Sequence, residues 1–87
     1  MHGVPRLAAV EATGDTELLV RFENGGEKVY DCRQILARPE FQLLRTPAFF
    51  RAVKVDPGGY GISWSDAIDL SEYELWVNGR PISQQSA

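Results

Sequence analysis

LLVRFENGGEKVY, residues 18–30, is the stretch that decides the fold of this chain. Apolar side chains stand at every second position from Leu18 to Phe22, which is the period of a strand with one buried face. Asn24-Gly25-Gly26 tolerates the positive φ angles of a tight turn, so Glu27–Tyr30 is predicted to return beside the first strand. The stretch therefore predicts an antiparallel β-hairpin whose Leu18 side faces a core.

Further strands are predicted on both sides of this hairpin. Residues Arg6–Ala12 read as a first strand, and the small residues Thr13–Thr16 form the turn that follows it. Downstream, Lys54–Asp56 and Ile62–Trp64 are predicted to pair with each other across the glycine-rich loop Pro57–Gly61. Together with the hairpin, these segments predict an antiparallel meander.

Capping signals predict short helices in the segment after the hairpin. Asp31 and Gln34 have the spacing of a capping box, which starts a helix. Arg38-Pro39 ends this helix, because the residue before a proline disfavours helical geometry. Thr46-Pro47 then supplies an N-cap and a first helical residue for a second helix.

A third helix is predicted near the end of the chain. Ser71 and Glu74 form another capping box, and Leu70 and Leu75 occupy the positions of a hydrophobic staple across it. Asn78-Gly79 is predicted to end this helix in a left-handed conformation.

These elements predict an α+β fold, a small antiparallel β-meander covered on one face by two or three short helices. The length of 87 residues fits a single domain, which we place at residues 1–82. The remaining residues 83–87 are predicted to be a disordered tail.

The composition indicates an ordinary globular protein, since 44% of the residues are hydrophobic and 24% are charged. Cys32 is the single cysteine, which excludes an internal disulfide. With no signal peptide in the sequence, a reducing cytoplasm is the expected location. No window approaches the roughly 20 apolar residues of a membrane span, so we predict no membrane association.

Charge is distributed unevenly along the chain. The net charge of −3 argues against a protein that binds nucleic acid by bulk charge. Residues 32–55 nevertheless carry a single acid, Glu40, against five basic residues: Arg33, Arg38, Arg45, Arg51 and Lys54. Two interpretations stay open, a solvated face with cations near helix C-termini and a positive patch for an acidic partner or phosphate.

The nucleophiles and bases of the chain do not assemble into a predicted catalytic site. Cys32 falls in the first turn of a helix, where the dipole lowers the pKa of a thiol. A cysteine nucleophile also needs a positioned base, and the only histidine is His2, in a terminus expected to fray. We predict that the chain is not an enzyme and that Cys32 is a small, semi-buried core residue.

No metal or cofactor site is predicted either. Asp66 and Asp69 stand three residues apart beside Trp64, but calcium and magnesium need more oxygen ligands than two carboxylates supply. We interpret them as turn residues that accept backbone N–H bonds. The glycine-rich run at residues 58–61 lacks both the Walker lysine and the spacing of a dinucleotide motif.

Two aromatic residues are predicted to contact a partner. Tyr60 sits at the tip of a glycine-rich loop, where an exposed tyrosine is well placed for binding. Phe49 and Phe50 are adjacent on a helix and cannot point the same way, so one of them, which we assign as Phe49, is expected to face a partner. The other aromatic residues follow strand and helix periods and are expected in the core.

The chain resembles a small bacterial family known only as a domain of unknown function. The resemblance spans about Pro5 to Leu75 and rests on Phe22-Glu23-Asn24-Gly25, Tyr30-Asp31, Phe41, Leu44, Pro47, Phe50, Val55, Ile62-Ser63-Trp64, Asp69-Leu70 and Leu75. Ser65 and Ala67 replace a proline and a glycine that are usual in that family. Such proteins stand alone or precede a helix-turn-helix domain, and they are often encoded beside another small protein. The resemblance therefore implies a role of the toxin–antitoxin kind.

The leading hypothesis is a non-enzymatic protein-interaction module that binds another protein or itself, as a homodimer, through an edge strand or its helical face. The resemblance implies regulation or neutralisation of a co-encoded small protein.

Two other classes of function stay open. One is a nucleic-acid-associated regulator that uses a basic face, formed by Arg33, Arg38, Arg45, Arg51 and Lys54. The other is a small-ligand binder or enzyme centred on Cys32 or on Asp66 and Asp69.

Overall fold

A computed structural model of the chain describes residues 4–82, and the predicted tail at residues 83–87 lies outside this range. Within it, the strands are β1 (Leu7–Ala12), β2 (Glu17–Phe22), β3 (Glu27–Asp31), β4 (Lys54–Val55), β5 (Gly61–Ser65), β6 (Ile68–Ser71) and β7 (Arg80–Pro81). The α-helices are α1 (Pro47–Arg51) and α2 (Glu72–Asn78). Three 3₁₀ segments cover Cys32–Gln34, Pro39–Arg45 and Pro57–Gly59.

The strands form two antiparallel sheets, one in the order β1-β2-β3-β7 and one in the order β4-β5-β6. The predicted α+β class, with antiparallel strands and short helices, is confirmed. The strands divide between two sheets because residues 32–53 form helical turns, which carry the chain away from β3 before β4 begins. None of the helices within residues 4–82 combines the length and the apolar character needed to cross a bilayer.

The hairpin predicted from residues 18–30 is present as β2 and β3, with Leu18 opposite Tyr30. Gly25 has a φ of 90°, a left-handed conformation that favours glycine. The side chain of Asn24 accepts a hydrogen bond from the N–H of Gly26 at 2.9 Å. The turn residues therefore set the register of the hairpin.

The core lies between the two sheets and is closed by the helical segments. Its buried side chains are Leu7, Leu18, Val20, Phe22, Tyr30, Cys32, Ile35, Leu36, Phe41, Leu44, Phe50, Ile62, Trp64, Ile68, Leu70 and Leu75. Phe50 on α1 stacks on Trp64 of β5 with ring centroids 6.1 Å apart. The Trp64 indole N–H also donates to the carbonyl of Phe50 at 2.8 Å, so the buried indole has a partner.

The helix predicted from Asp31 and Gln34 is a short 3₁₀ turn. The Asp31 carboxylate accepts a hydrogen bond from the N–H of Arg33 at 2.9 Å, as a cap should. The Gln34 side chain donates to the Asp31 carbonyl at 2.9 Å instead of returning a capping-box bond to an N–H. The chain then turns so that Ile35 and Leu36 both enter the core.

The predicted cap of α2 is present at Ser71. The Ser71 hydroxyl accepts a hydrogen bond from the N–H of Glu74 at 3.1 Å. The Glu74 carboxylate does not complete the box, because it accepts a hydrogen bond from the Tyr30 hydroxyl at 2.7 Å. The cap therefore also ties α2 to β3.

The predicted left-handed end of α2 at Gly79 is wrong. Gly79 has φ −76° and ψ 150°, which is extended backbone. Glycine is needed here for space, since a Cβ would lie 2.5 Å from the Leu75 carbonyl oxygen and 3.1 Å from the Cβ of Lys28. The helix ends where the chain passes close to β3, and β7 follows at once.

Candidate functional site

The candidate site is the side of the first sheet that points away from the core. We call it the open face, and it consists of the outward side chains of β1, β2, β3 and β7. The strand pairs Glu11–Leu19, Leu19–Val29 and Val29–Arg80 place four of these residues in one row across the sheet. An acid stands at one end of this row, a base at the other, and two apolar residues between them.

Charged residues border this row on both sides. In one neighbouring row Arg21 pairs with Glu27, and the Arg21 Nε lies 3.3 Å from a Glu27 carboxylate oxygen. In the other row Glu17 pairs with Asp31. The open face therefore combines an apolar centre with a charged rim, as the surfaces that bind proteins commonly do.

The apolar centre of the open face is separate from the core. Leu19 and Val29 are half-buried, and neither belongs to the buried cluster or to the side chains packed against it. Two shallow grooves flank them: one is lined by Ala9, Val10, Glu11, Leu19, Arg21 and Glu27, and the other by Val29, Asp31, Gln34, Asn78 and Arg80.

Ion pairs order the acidic row of the open face. Arg80 approaches Glu17 to 3.5 Å, and Arg33 approaches Asp31 to 2.7 Å. The hydrogen bond from the Arg33 guanidinium lowers the pKa of the Asp31 carboxyl, and the Arg33 backbone N–H lowers it further. Asp31 is therefore ionised at neutral pH, and a basic neighbour already balances its charge.

The basic run of residues 32–55 does not present five free cations. Besides the Arg33 pair, Arg51 lies 3.5 Å from Asp15 in the turn after β1. Arg45 donates to the carbonyl of Leu36 at 3.0 Å, which ties the end of the Pro39–Arg45 segment to the turn that precedes it.

The other two predicted basic contact residues, Arg38 and Lys54, are exposed and make no ion pair among the described residues. Arg38 precedes the 3₁₀ segment Pro39–Arg45, and Lys54 lies on β4 in the second sheet. The five cations therefore lie on several different elements.

The two predicted aromatic contacts have different environments. Tyr60 is 54% exposed, and the guanidinium of Arg6 lies 4.4 Å from its ring centroid. Phe49 is half-buried and packs against the core, while Phe50 is completely buried. The structure thus leaves Tyr60, but not Phe49, largely open to solvent.

The residues weighed for catalysis do not converge within residues 4–82. Cys32 is fully buried, and burial followed by the charge of Asp31 raises the pKa of its thiol to about 12. Asp66 and Asp69 are both exposed. No group of three or more histidine, cysteine, aspartate or glutamate residues in this range is placed to hold a metal ion.

A comparison with protein families gives one match that covers nearly the whole fold. The model of DUF2442, described as a protein of unknown function, matches residues 7–81. The chain belongs to the DUF2442 family. Neither the curated proteins nor the solved structures give a significant match. The matched residues run from β1 to β7, so the open face belongs to the DUF2442 domain itself.

Sequence patterns alone did not indicate the open face of this DUF2442 domain. The signal was present in the hairpin, because Leu19 and Val29 are apolar at positions that the period of two turns outward. An exposed strand face normally carries polar residues at such positions. The register of β3 with β7 is a contact between distant parts of the chain, and only the structure places Arg80 in the same row.

Proposed function

We propose that this DUF2442 domain is a non-enzymatic protein-interaction module and that the open face is its binding surface. The observation that carries the proposal is the pair Leu19 and Val29, two apolar residues side by side on the face opposite the core. A partner that covers them removes their apolar surface from water, which stabilises the complex by roughly 25 cal/mol per Å² of buried apolar surface. The charged rim then selects the partner and its orientation.

The edges of the first sheet support a face rather than an edge as the binding surface. The segment Pro57–Gly59 passes over β1 so closely that a Cβ on Gly59 would lie 2.6 Å from the Leu7 carbonyl oxygen. At the other edge, β7 has two residues, and Pro81 has no N–H to donate. Both edges are thus poor templates for an added strand.

A catalytic role has little support from the residues weighed for it. The Cys32 thiol is buried and its pKa is raised, so it is protonated at neutral pH and closed to substrates. Nucleic-acid binding has less support than protein binding, because Arg33 and Arg51 are paired with carboxylates and Arg45 with a carbonyl. For these reasons we prefer a protein-interaction module to an enzyme or a nucleic-acid-binding protein.

We also propose a location and a cellular role for this protein-binding function. We place the domain in the bacterial cytoplasm, where a lone buried thiol such as Cys32 stays reduced. Regulation or neutralisation of a co-encoded small protein is the role proposed for the module there.

The proposed function is tested by affinity capture from extracts of the native cell, with Leu19→Arg as the disrupting variant. Leu43→Arg is the matched control, because Leu43 is 55% exposed on the Pro39–Arg45 segment and lies outside the open face. We expect proteins retained by the wild type, second copies of the chain included, to be lost with Leu19→Arg and kept with Leu43→Arg. Equal retention by the wild type and both variants contradicts the proposal.

A further inference from the structure

We infer that the open face binds the open face of a second copy of this chain, so that the two four-stranded sheets stack with their strands aligned. The inference rests on the proposed function, since it names the occupant of the same surface. Aligned sheets commonly pack about 10 Å apart at an angle of roughly 30°. The order of charges across the sheet favours a second copy as the occupant of this face.

The central row of the open face is complementary to itself when it is reversed. Across the strands its order is Glu11, Leu19, Val29, Arg80. A two-fold axis that runs along the strands, between β2 and β3, places β1 of one copy opposite β7 of the other. Glu11 then faces Arg80 of the second copy, and Leu19 faces Val29. The same two contacts repeat on the other side of the axis, as an isologous interface requires.

The neighbouring row gives the same result. Arg21 on β2 and Glu27 on β3 form an ion pair within the chain. The same two-fold axis places Arg21 of each copy opposite Glu27 of the other. The two arginines and two glutamates therefore form a group of four charges of alternating sign. Such a network is worth more than an isolated surface pair.

The third row brings Glu17 opposite Asp31 across the axis. Asp31 is bound to Arg33 of its own chain at 2.7 Å, which reduces the repulsion at this end of the interface. Arg80 lies 3.5 Å from Glu17 of its own chain, so it is shared between Glu17 and Glu11 of the second copy.

The other two-fold arrangement is disfavoured by charge. An axis across the strands along the central row places each strand opposite its own copy, so Glu11 meets Glu11 and Arg80 meets Arg80. Like charges brought together at an interface are costly. The order of charges therefore selects one of the two symmetric stacks.

The inference is tested by analytical ultracentrifugation of the full chain and of two charge-reversal variants, Glu11→Arg and Arg80→Glu. We expect the wild type to dimerise and each variant alone to dimerise at least about tenfold more weakly, because like charges then face each other twice. An equimolar mixture of the two variants is expected to dimerise, as a heterodimer, more tightly than either variant alone, although Arg80→Glu also removes the pairing of Arg80 with Glu17. In the mixture, an acid faces a base at both contacts.

Glu40→Arg is the control, since it makes the same charge change at an exposed position outside the open face. It is expected to dimerise like the wild type, and circular dichroism checks that every variant is folded. A wild type that stays monomeric, or variants that stay monomeric when mixed, overturns the inference. If the wild type is monomeric but Leu19→Arg still abolishes capture of a different protein, this inference fails and the proposed function stands.

Discussion

The Tyr30 hydroxyl donates a hydrogen bond to the Glu74 carboxylate at 2.7 Å and so joins β3 to α2. Tyr30 is completely buried, and Glu74 also lies in the first turn of the helix that Ser71 caps. Burial, followed by the hydrogen bond and the charge of Glu74, raises the pKa of Tyr30. One contact therefore connects the hairpin to the second helix.

Replacing Tyr30 by Phe tests this connection. The variant keeps the buried ring but removes the donor to Glu74, and hydrogen bonds to charged groups contribute about 1.5–3 kcal/mol. We expect the free energy of unfolding to fall by about that amount in urea titrations. Tyr73→Phe is the control, since Tyr73 is 62% exposed, and it should leave the midpoint unchanged. A Tyr30→Phe variant as stable as the wild type contradicts this role of the contact.

The two sides of β2 should respond differently to truncation. Leu18 is completely buried, so Leu18→Ala is expected to cost about 2–5 kcal/mol of stability. Leu19 is half-buried on the open face, and Leu19→Ala should cost less than about 1 kcal/mol in the monomer. Chemical denaturation at low protein concentration measures both. Similar losses for the two variants would show that the open face is part of the folding core.

Substitution at Gly79 tests the close approach that ends α2. In Gly79→Ala the new methyl group would lie 2.5 Å from the Leu75 carbonyl oxygen, so backbone must move. We expect a loss of about 1–3 kcal/mol. Gly14→Ala is the control, because a Cβ there meets nothing within 4 Å, and its thermal midpoint should match the wild type. If Gly79→Ala has the same thermal midpoint as Gly14→Ala, close packing is not the reason for glycine at position 79.

Alkaline pH should destabilise the domain through Cys32. Burial raises the pKa of its thiol from 9.0 to about 12, so the folded chain keeps a proton that the unfolded chain loses above pH 9. The contribution to stability is complete below pH 9 and is lost as the pH rises toward 12, by at most about 1.4 kcal/mol per pH unit.

Urea titrations of the wild type and of Cys32→Ala between about pH 8 and about pH 11 check this dependence. The variant lacks the thiol, so its stability should fall less steeply with pH. The two main causes of the raised Tyr30 pKa, its burial and its hydrogen bond to Glu74, are present in both proteins. Parallel curves for the two proteins would contradict the assignment to Cys32.

The parts of the fold that depend on neighbouring residues could be predicted from the sequence. The β2–β3 hairpin follows from the alternation before Asn24 and from the turn residues, and the cap of α2 follows from Ser71. Contacts between distant residues could not be predicted in this way. The Glu74 carboxylate does not make its expected capping-box bond, because it accepts a hydrogen bond from Tyr30 on β3 instead.

The candidate site shows the same division. Tyr60 was predicted to be exposed from its position in a glycine-rich loop, and it is. The row from Glu11 to Arg80 needs four strands to be in register. β7 pairs with β3 although three strands and both α-helices lie between them in the sequence. Local patterns therefore indicated single exposed residues but not the surface that joins them.

The most direct test of self-association through the open face is a dilution series followed by amide NMR spectra of the isotope-labelled chain. Concentration-dependent shifts are expected at Leu19, Val29 and Arg80, with Tyr60 and Leu43 unchanged, because the latter two lie outside the open face. Shifts confined to Tyr60 and its loop, or no shifts on β2 and β3 at any concentration, would contradict the account.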